Sequence, residues 1–210
     1  MSVDSALAKR LLQINAIKLS PQKPFTWASG WLSPIYCDNR MSLSYPEVRN
    51  SIKSGLAELS SEFDFDVVIG VATAGIPHGM LLADAIDAPF GYVRSKSKSH
   101  GRQNQIEGDI KPGQKALVVE DLISTGGSAL AAIAALRDAG IEVVGLLAIF
   151  TYGFSHSVMA MEKAEVPFKT LLNYENLLEE ACKLSYISKT DLSQLQLWRK
   201  APEHWQPIER

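Results

Sequence analysis

Cysteine is scarce in this 210-residue chain. Only Cys37 and Cys182 occur, far apart and without metal-site spacing or the density of a disulfide scaffold. Both read as small buried hydrophobes, and a reducing cytoplasm is the compartment they imply. Long apolar runs are also missing. Nothing approaches the roughly 20 residues that cross a bilayer. The start, MSVDSALAKRLLQ, carries an acid and a helical pattern where a secretory leader would have a basic patch and an unbroken apolar core. Charge of one sign is lacking too: 21 Lys and Arg stand against 23 Asp and Glu, a formal net of -2. That argues against nucleic acid or membrane as a partner, while allowing a local basic loop. Finally, there is neither the lysine of a GxxxxGK[ST] loop nor a GxGxxG turn, so a Walker or dinucleotide site is not expected.

What is present has a clear rhythm. Ala6, Leu7, Leu11, Leu12 and Ile14 recur at helical spacing, which predicts an amphipathic helix from Val3 to about Leu19. A proline- and aromatic-rich loop follows, with a short strand near Ile35-Tyr36-Cys37. Ser44 and Glu47 have the spacing of a capping box ahead of a helix whose buried stripe is Val48, Ile52, Leu56 and Leu59. Then short apolar runs alternate with helical patterns. The runs are Val67–Val71, Phe90–Val93, Ala116–Val119, Ile141–Phe150 and a weaker Phe168–Leu172; an Ala-rich helix from Ser128 to Ala139 stops at Gly140. Such alternation predicts an α/β fold with a mostly parallel sheet covered on both faces. Ligands of these sheets bind beyond the carboxyl ends of the strands. The expected organisation is an N-terminal helix and hood over 1–43, an α/β core over 44–184 and a C-terminal tail over 185–210 in which helix is one option. Trp198 and Trp205, in that tail, give no reading of their own.

The strongest signal is ALVVEDLISTGGSALAAIAAL, Ala116–Leu136. An apolar strand ends in Glu120 and Asp121, and Ser124, Thr125, Gly126, Gly127 and Ser128 turn the chain into a helix. The glycines admit a close approach of backbone to ligand, and the hydroxyls and free helical N–H groups suit a phosphate. Two acids at the mouth of an anion site call for a ligand that also offers hydroxyls or a metal. A ribose 5-phosphate meets both needs, its phosphate in the loop and its hydroxyls on the acids. A second segment, RSKSKSHGRQNQIEGDIKPG, sets Arg94, Lys96, Lys98, His100 and Arg102 at alternate positions, on one side of an extended chain. Beside an anion site this is a candidate cover for a departing diphosphate.

These residues carry a resemblance. VVEDLISTGGS is similar to the phosphoribosyl diphosphate (PRPP) motif of type I phosphoribosyltransferases, which implies that fold, with Mg²⁺ carried mainly on the substrate diphosphate and no protein metal site. Arg94, Lys98, His100 and Gly101 match the R-x-x-x-K-x-H-G loop of the orotate phosphoribosyltransferase family. Ser95 stands where many members have a lysine, with Lys96 a possible substitute. The resemblance implies diphosphate contacts from Arg94, Lys96, Lys98 and His100, and a homodimer in which this loop reaches the neighbouring subunit's site. PFTWASGWLSPIYCDNR resembles the family's hood over a flat pyrimidine, which places orotate near Ser29, Gly30, Tyr36, Thr125 and Thr151. The turn Gly70–Pro77 resembles the loop that brings Thr73 and Ala74 to diphosphate. Ala28 and Ala74 replace lysines of some members, and Phe150-Thr151-Tyr152-Gly153 lacks an arginine that some use for the orotate carboxylate. Backbone N–H groups, Thr151 and Arg40 stand open as its partner. The implied reaction is transfer from PRPP to N1 of orotate, with Lys98, His100, Glu120 and Asp121 as catalytic residues. The alternatives are a purine or uracil phosphoribosyltransferase and a non-catalytic PRPP or nucleotide sensor.

Overall fold

The computed structural model describes residues 3–27, 29–95 and 105–207. Its centre is a six-stranded sheet in the order β10-β9-β8-β5-β6-β7, where β5 is Val67–Val71, β6 Phe90–Val93, β7 Ile106–Glu107, β8 Lys115–Ile123, β9 Glu142–Thr151 and β10 Phe168–Asn173. The first five in that order run parallel, and β7 closes the edge antiparallel to β6. Apolar runs without alternation arise because both faces are covered. Val68, Leu117, Val119, Leu147 and Ile149 belong to one core layer, with α1 (Val3–Gln13), α2 (Pro46–Ser60), α3 (Gly75–Ile86) and α6 (Tyr174–Lys183). Val67, Ile69, Val118, Leu146 and Ala148 belong to the other, with α4 (Gly127–Asp138) and Met161 of α5 (Ser155–Lys163).

Two local expectations fail. The first helix ends at Gln13 and not near Leu19. Asn15 takes a left-handed conformation, φ 57°, which asparagine tolerates better than most residues. The chain reverses there and Ile17–Leu19 becomes β1, antiparallel to β4 (Ile35–Cys37). The capping box of Ser44 and Glu47 does not form either. Pro46 occupies the first position of α2, and Tyr45 is its N-cap without a side-chain hydrogen bond. Ser44 instead ends a 3-10 turn over Asn39–Ser44.

The N-terminal segment adds a small hairpin, β2 (Phe25–Thr26) with β3 (Leu32–Ser33), turned at Gly30 with φ 86°. The tail holds α7, Lys189–Lys200, opened by a complete capping box between Ser188 and Asp191. Trp198 on that helix is fully buried.

Candidate active site

Shortly before the carboxyl end of β8 at Ile123, the strand changes character from apolar to acidic. Glu120 is buried at 4% exposure, and Asp121 follows it half-buried. One Glu120 carboxylate oxygen accepts from the Asp121 N–H at 3.1 Å, and the other accepts from the Ser128 hydroxyl at 3.0 Å. Burial, then the neighbouring Asp121 charge, pushes the Glu120 carboxyl up to about 8. Burial also raises Asp121. The pair therefore keeps a proton near neutrality until a ligand brings hydrogen-bond donors or positive charge. The Asn39 side chain donates to the Asp121 carbonyl at 2.8 Å, tying the 3-10 turn to the strand end.

The loop after the acids is shaped by glycine. Gly126, φ 83°, is the N-cap of α4, a conformation that would strain other residues. A Cβ on Gly127 would meet only the Thr125 hydroxyl oxygen, at 3.8 Å, so the helix start faces open space. At the neighbouring strand the reason for glycine is contact: a Cβ on Gly75 would lie 2.4 Å from the Val119 carbonyl oxygen. That close approach of α3 to β8 brings the turn Ala72–Thr73–Ala74, whose first peptide bond is cis, beside the acids.

Two cavities open here and share one residue. The first, about 300 Å³, is lined by Cys37, Asp38, Arg40, Ala72, Thr73, Ala74, Glu120, Asp121 and Ser128. The second, about 480 Å³, is lined by Thr26, Trp27, Ser29, Trp31, Tyr36, Cys37, Leu122, Ser124, Thr125 and Tyr152. One is acidic and polar, the other largely aromatic, and Cys37 lies at their junction. Burial and the nearby Asp121 charge push its thiol pKa upward, so it is a neutral wall and not a nucleophile. A larger hollow, about 740 Å³, separates α6 from α7. It shares no lining residue with either of the other two, and Arg199 in its wall is paired with Glu175 at 2.5 Å.

The structure thus gathers Glu120, Asp121, Ser128, Thr73 and Ala74 around one cavity, and Ser29, Tyr36, Ser124 and Thr125 around the other. Gly30 shapes the hairpin turn, its N–H donating to the Trp27 carbonyl at 2.8 Å. Thr151 lines neither cavity. Its hydroxyl donates to the Ile123 carbonyl and accepts from the Gly153 N–H, so it is committed to backbone. Arg40 lines the acidic cavity and holds Asp38 through two bonds, 2.7 and 2.8 Å, which lowers the Asp38 pKa. Arg94, at the end of β6, pairs with Glu107 at 3.6 Å. Lys96, Lys98, His100 and Gly101 lie outside the described residues. Unanticipated are Asp38 and Ala72 on the acidic side, and Cys37, Leu122 and Tyr152 as walls. Tyr152 comes just after β9, where the strand-end rule points.

Residues 44–169 match the phosphoribosyl transferase domain family. The chain is 52% identical over 206 residues to an orotate phosphoribosyltransferase of Bacteroides thetaiotaomicron, covering 97% of both chains. A solved orotate phosphoribosyltransferase from Aeropyrum pernix superposes with a TM-score of 0.76 at 30% identity, over 87% of this chain and 99% of that one. Another, from Mycobacterium tuberculosis in complex with PRPP, gives 0.67 at 26% identity, over 84% and 99%. With this site and these relatives, the chain belongs to the orotate phosphoribosyltransferase family.

Proposed function

We propose that this enzyme transfers the 5-phosphoribosyl group of PRPP to N1 of orotate, giving orotidine 5-phosphate and diphosphate, the penultimate step in making UMP. The observation that carries the reading is the pair of unlike cavities meeting at Cys37. A flat, polar ring suits the aromatic one, against Tyr36, Trp27 and Tyr152. Ribose and diphosphate suit the acidic one, with the 5-phosphate in the loop Ser124–Ser128. Glu120 and Asp121 accept from the ribose hydroxyls, which bring donors to two carboxyls whose pKa values burial has raised. As N1 of orotate attacks the anomeric carbon and the C–O bond to diphosphate breaks, their charge faces the oxocarbenium-like centre. No side chain forms a covalent bond. Ser124, Thr125 and Ser128 act as phosphate ligands.

Mg²⁺ fits the donor set: Asp38 and Asp121 put hard carboxylate oxygens into the acidic cavity, and a diphosphate brings most of the remaining ligands. Among the described residues no cluster would hold a metal alone. When bound, Mg²⁺ supplies charge neutralisation to the leaving diphosphate. We assign the remaining neutralisation to Arg94, Lys96, Lys98 and His100 of a neighbouring subunit in a homodimer. The cytoplasm is the proposed compartment; among the described residues no helix is long and apolar enough to cross a membrane. Backbone N–H groups remain as the partner of the orotate carboxylate, because Thr151 is committed and Arg40 faces the acidic side.

The test is initial-rate turnover with PRPP and Mg²⁺ against a panel of bases. Orotate should give orotidine 5-phosphate and diphosphate, while uracil, hypoxanthine and adenine give none. Use of a purine with no use of orotate would refute the acceptor assignment. Mixing inactive Lys98→Ala and Asp121→Asn dimers under verified subunit exchange should restore about half the parent rate per mixed dimer if sites are shared. Exchange without recovery would refute the shared loop.

A further inference from the structure

The aromatic cavity has a support that lies far from it in sequence. Trp198 lines neither cavity, yet its ring meets Trp27 edge-on at 5.5 Å and 83°, and Tyr152 at 5.5 Å and 81°. Both of those residues are walls of the aromatic cavity. The Trp198 indole N–H also donates to the carbonyl of Leu32, in the hood hairpin, at 3.2 Å. One fully buried residue on α7 thus touches the hood through a ring contact and a hydrogen bond, and touches Tyr152, whose ring itself meets Trp27 at 5.3 Å, besides.

The hood needs such support. Its hairpin has two-residue strands, and a two-stranded ribbon is marginal in water by itself. Among the described residues Trp27 Nε1 donates to the Ile35 carbonyl at 3.3 Å, the Ser33 hydroxyl donates to the same carbonyl at 2.7 Å, and the Trp27 ring rests on Tyr152 at 5.3 Å. By contrast α7 is fixed to the body of the protein. The Tyr174 hydroxyl donates to the Leu195 carbonyl at 3.1 Å, Arg199 pairs with Glu175, and a capping box secures the first turn.

We propose that Trp198 is a positioning residue for the acceptor base: it transfers the rigidity of the C-terminal helix to Trp27 and the hood, and so fixes the Trp27 wall of the aromatic cavity. This rests on the reading of that cavity as the orotate site. The donor cavity is lined from β8, the turn Ala72–Ala74, the start of α4 and the segment Cys37–Arg40, and neither the hydrogen bond nor the ring contacts of Trp198 reach a residue that lines it. The effect is therefore confined to the acceptor.

Trp198→Phe keeps an aromatic ring in the core and removes the N–H. The expected result is a KM for orotate raised about fivefold, the factor one lost net hydrogen bond supplies, with kcat and the KM for PRPP within about twofold of the parent. Leu192→Ala, on the same helix but facing the hollow against α6, should lower Tm and leave the orotate KM unchanged. An unchanged orotate KM in Trp198→Phe, a parallel rise in both KM values, or an equal rise in Leu192→Ala would overturn the proposal. Hydrogen exchange at the Trp27 and Gly30 amides reads the hood without substrate. Faster exchange in Trp198→Phe supports the contact, and unchanged exchange overturns it even if orotate is not the substrate. A parent enzyme idle with orotate would refute only the acceptor reading. Should Trp198→Phe not fold, reciprocity supplies a measurement on the parent: orotidine 5-phosphate must slow exchange of the Trp198 indole N–H. No slowing would overturn the proposal.

Discussion

The two halves of the site are built differently. The donor half takes its acids and phosphate turn from one run of chain, Glu120–Ser128, in which a strand end, a glycine turn and a helix start follow in order, and completes its cavity with Cys37, Asp38, Arg40 and the turn Ala72–Ala74. The acceptor half is assembled from the hood, the end of β8, Tyr152 after β9 and, behind them, Trp198 from the C-terminal helix. Phosphate recognition is largely a backbone property and needs a contiguous turn. Recognition of a flat ring needs walls on several sides, which a single segment does not supply. Damage to the donor half should accordingly be local and severe, while damage to the acceptor half should spread over many residues with modest individual effects.

The largest effect should come from Asp121→Asn. Losing a charged acceptor for a ribose hydroxyl should lower kcat/KM for PRPP by roughly 10- to 100-fold, with the fold intact by circular dichroism. A KM for orotate that rose equally would break the separation of the halves. Gly127→Ala sharpens it. The added methyl meets only Thr125 Oγ1 in the free protein, and alanine favours helix, so Tm should hold or rise. PRPP affinity by calorimetry should nonetheless fall about tenfold, because the methyl enters the space assigned to phosphate. Unchanged affinity would remove the phosphate from that loop.

The smallest effect concerns the buried acid. Glu120 ionises in the folded protein at about 8, above its ordinary 4.5. Between those values the native state holds the extra proton, so stability falls as pH rises through the window and the loss is complete above it. Glu120→Gln cannot ionise. Its Tm relative to the parent should therefore climb steadily between about pH 5 and pH 8. A difference independent of pH would mean that Glu120 is already ionised in the free enzyme.

Legibility followed the same division. The run Val67–Val71 and the turn after β8 were readable because strand, turn and helix start are local decisions. The reversal at Asn15 was not, because the apolar spacing continues through Ile17 and Leu19 while one left-handed residue redirects the chain. The spacing of Ser44 and Glu47 also misled, since Pro46 starts the helix later than the box requires. A box at Ser188 and Asp191 did form, because Lys189 begins α7 directly after Ser188. Thr151 sits at a strand end where a ligand contact is reasonable, but the turn at Gly153 uses its hydroxyl. The role of Trp198 had no sequence signal at all, since it exists only through contacts with Leu32, Trp27 and Tyr152.

The division into two cavities that meet at Cys37 is tested most directly by a crystal structure with orotidine 5-phosphate bound. The pyrimidine ring is expected in the aromatic cavity against Tyr36, Trp27 and Tyr152, the ribose hydroxyls on Glu120 and Asp121, and the phosphate at the N-terminus of α4 beside Gly127. Cys37 should lie at the glycosidic bond. A pyrimidine ring outside the hood, or a phosphate bound away from Ser124–Ser128, would contradict it.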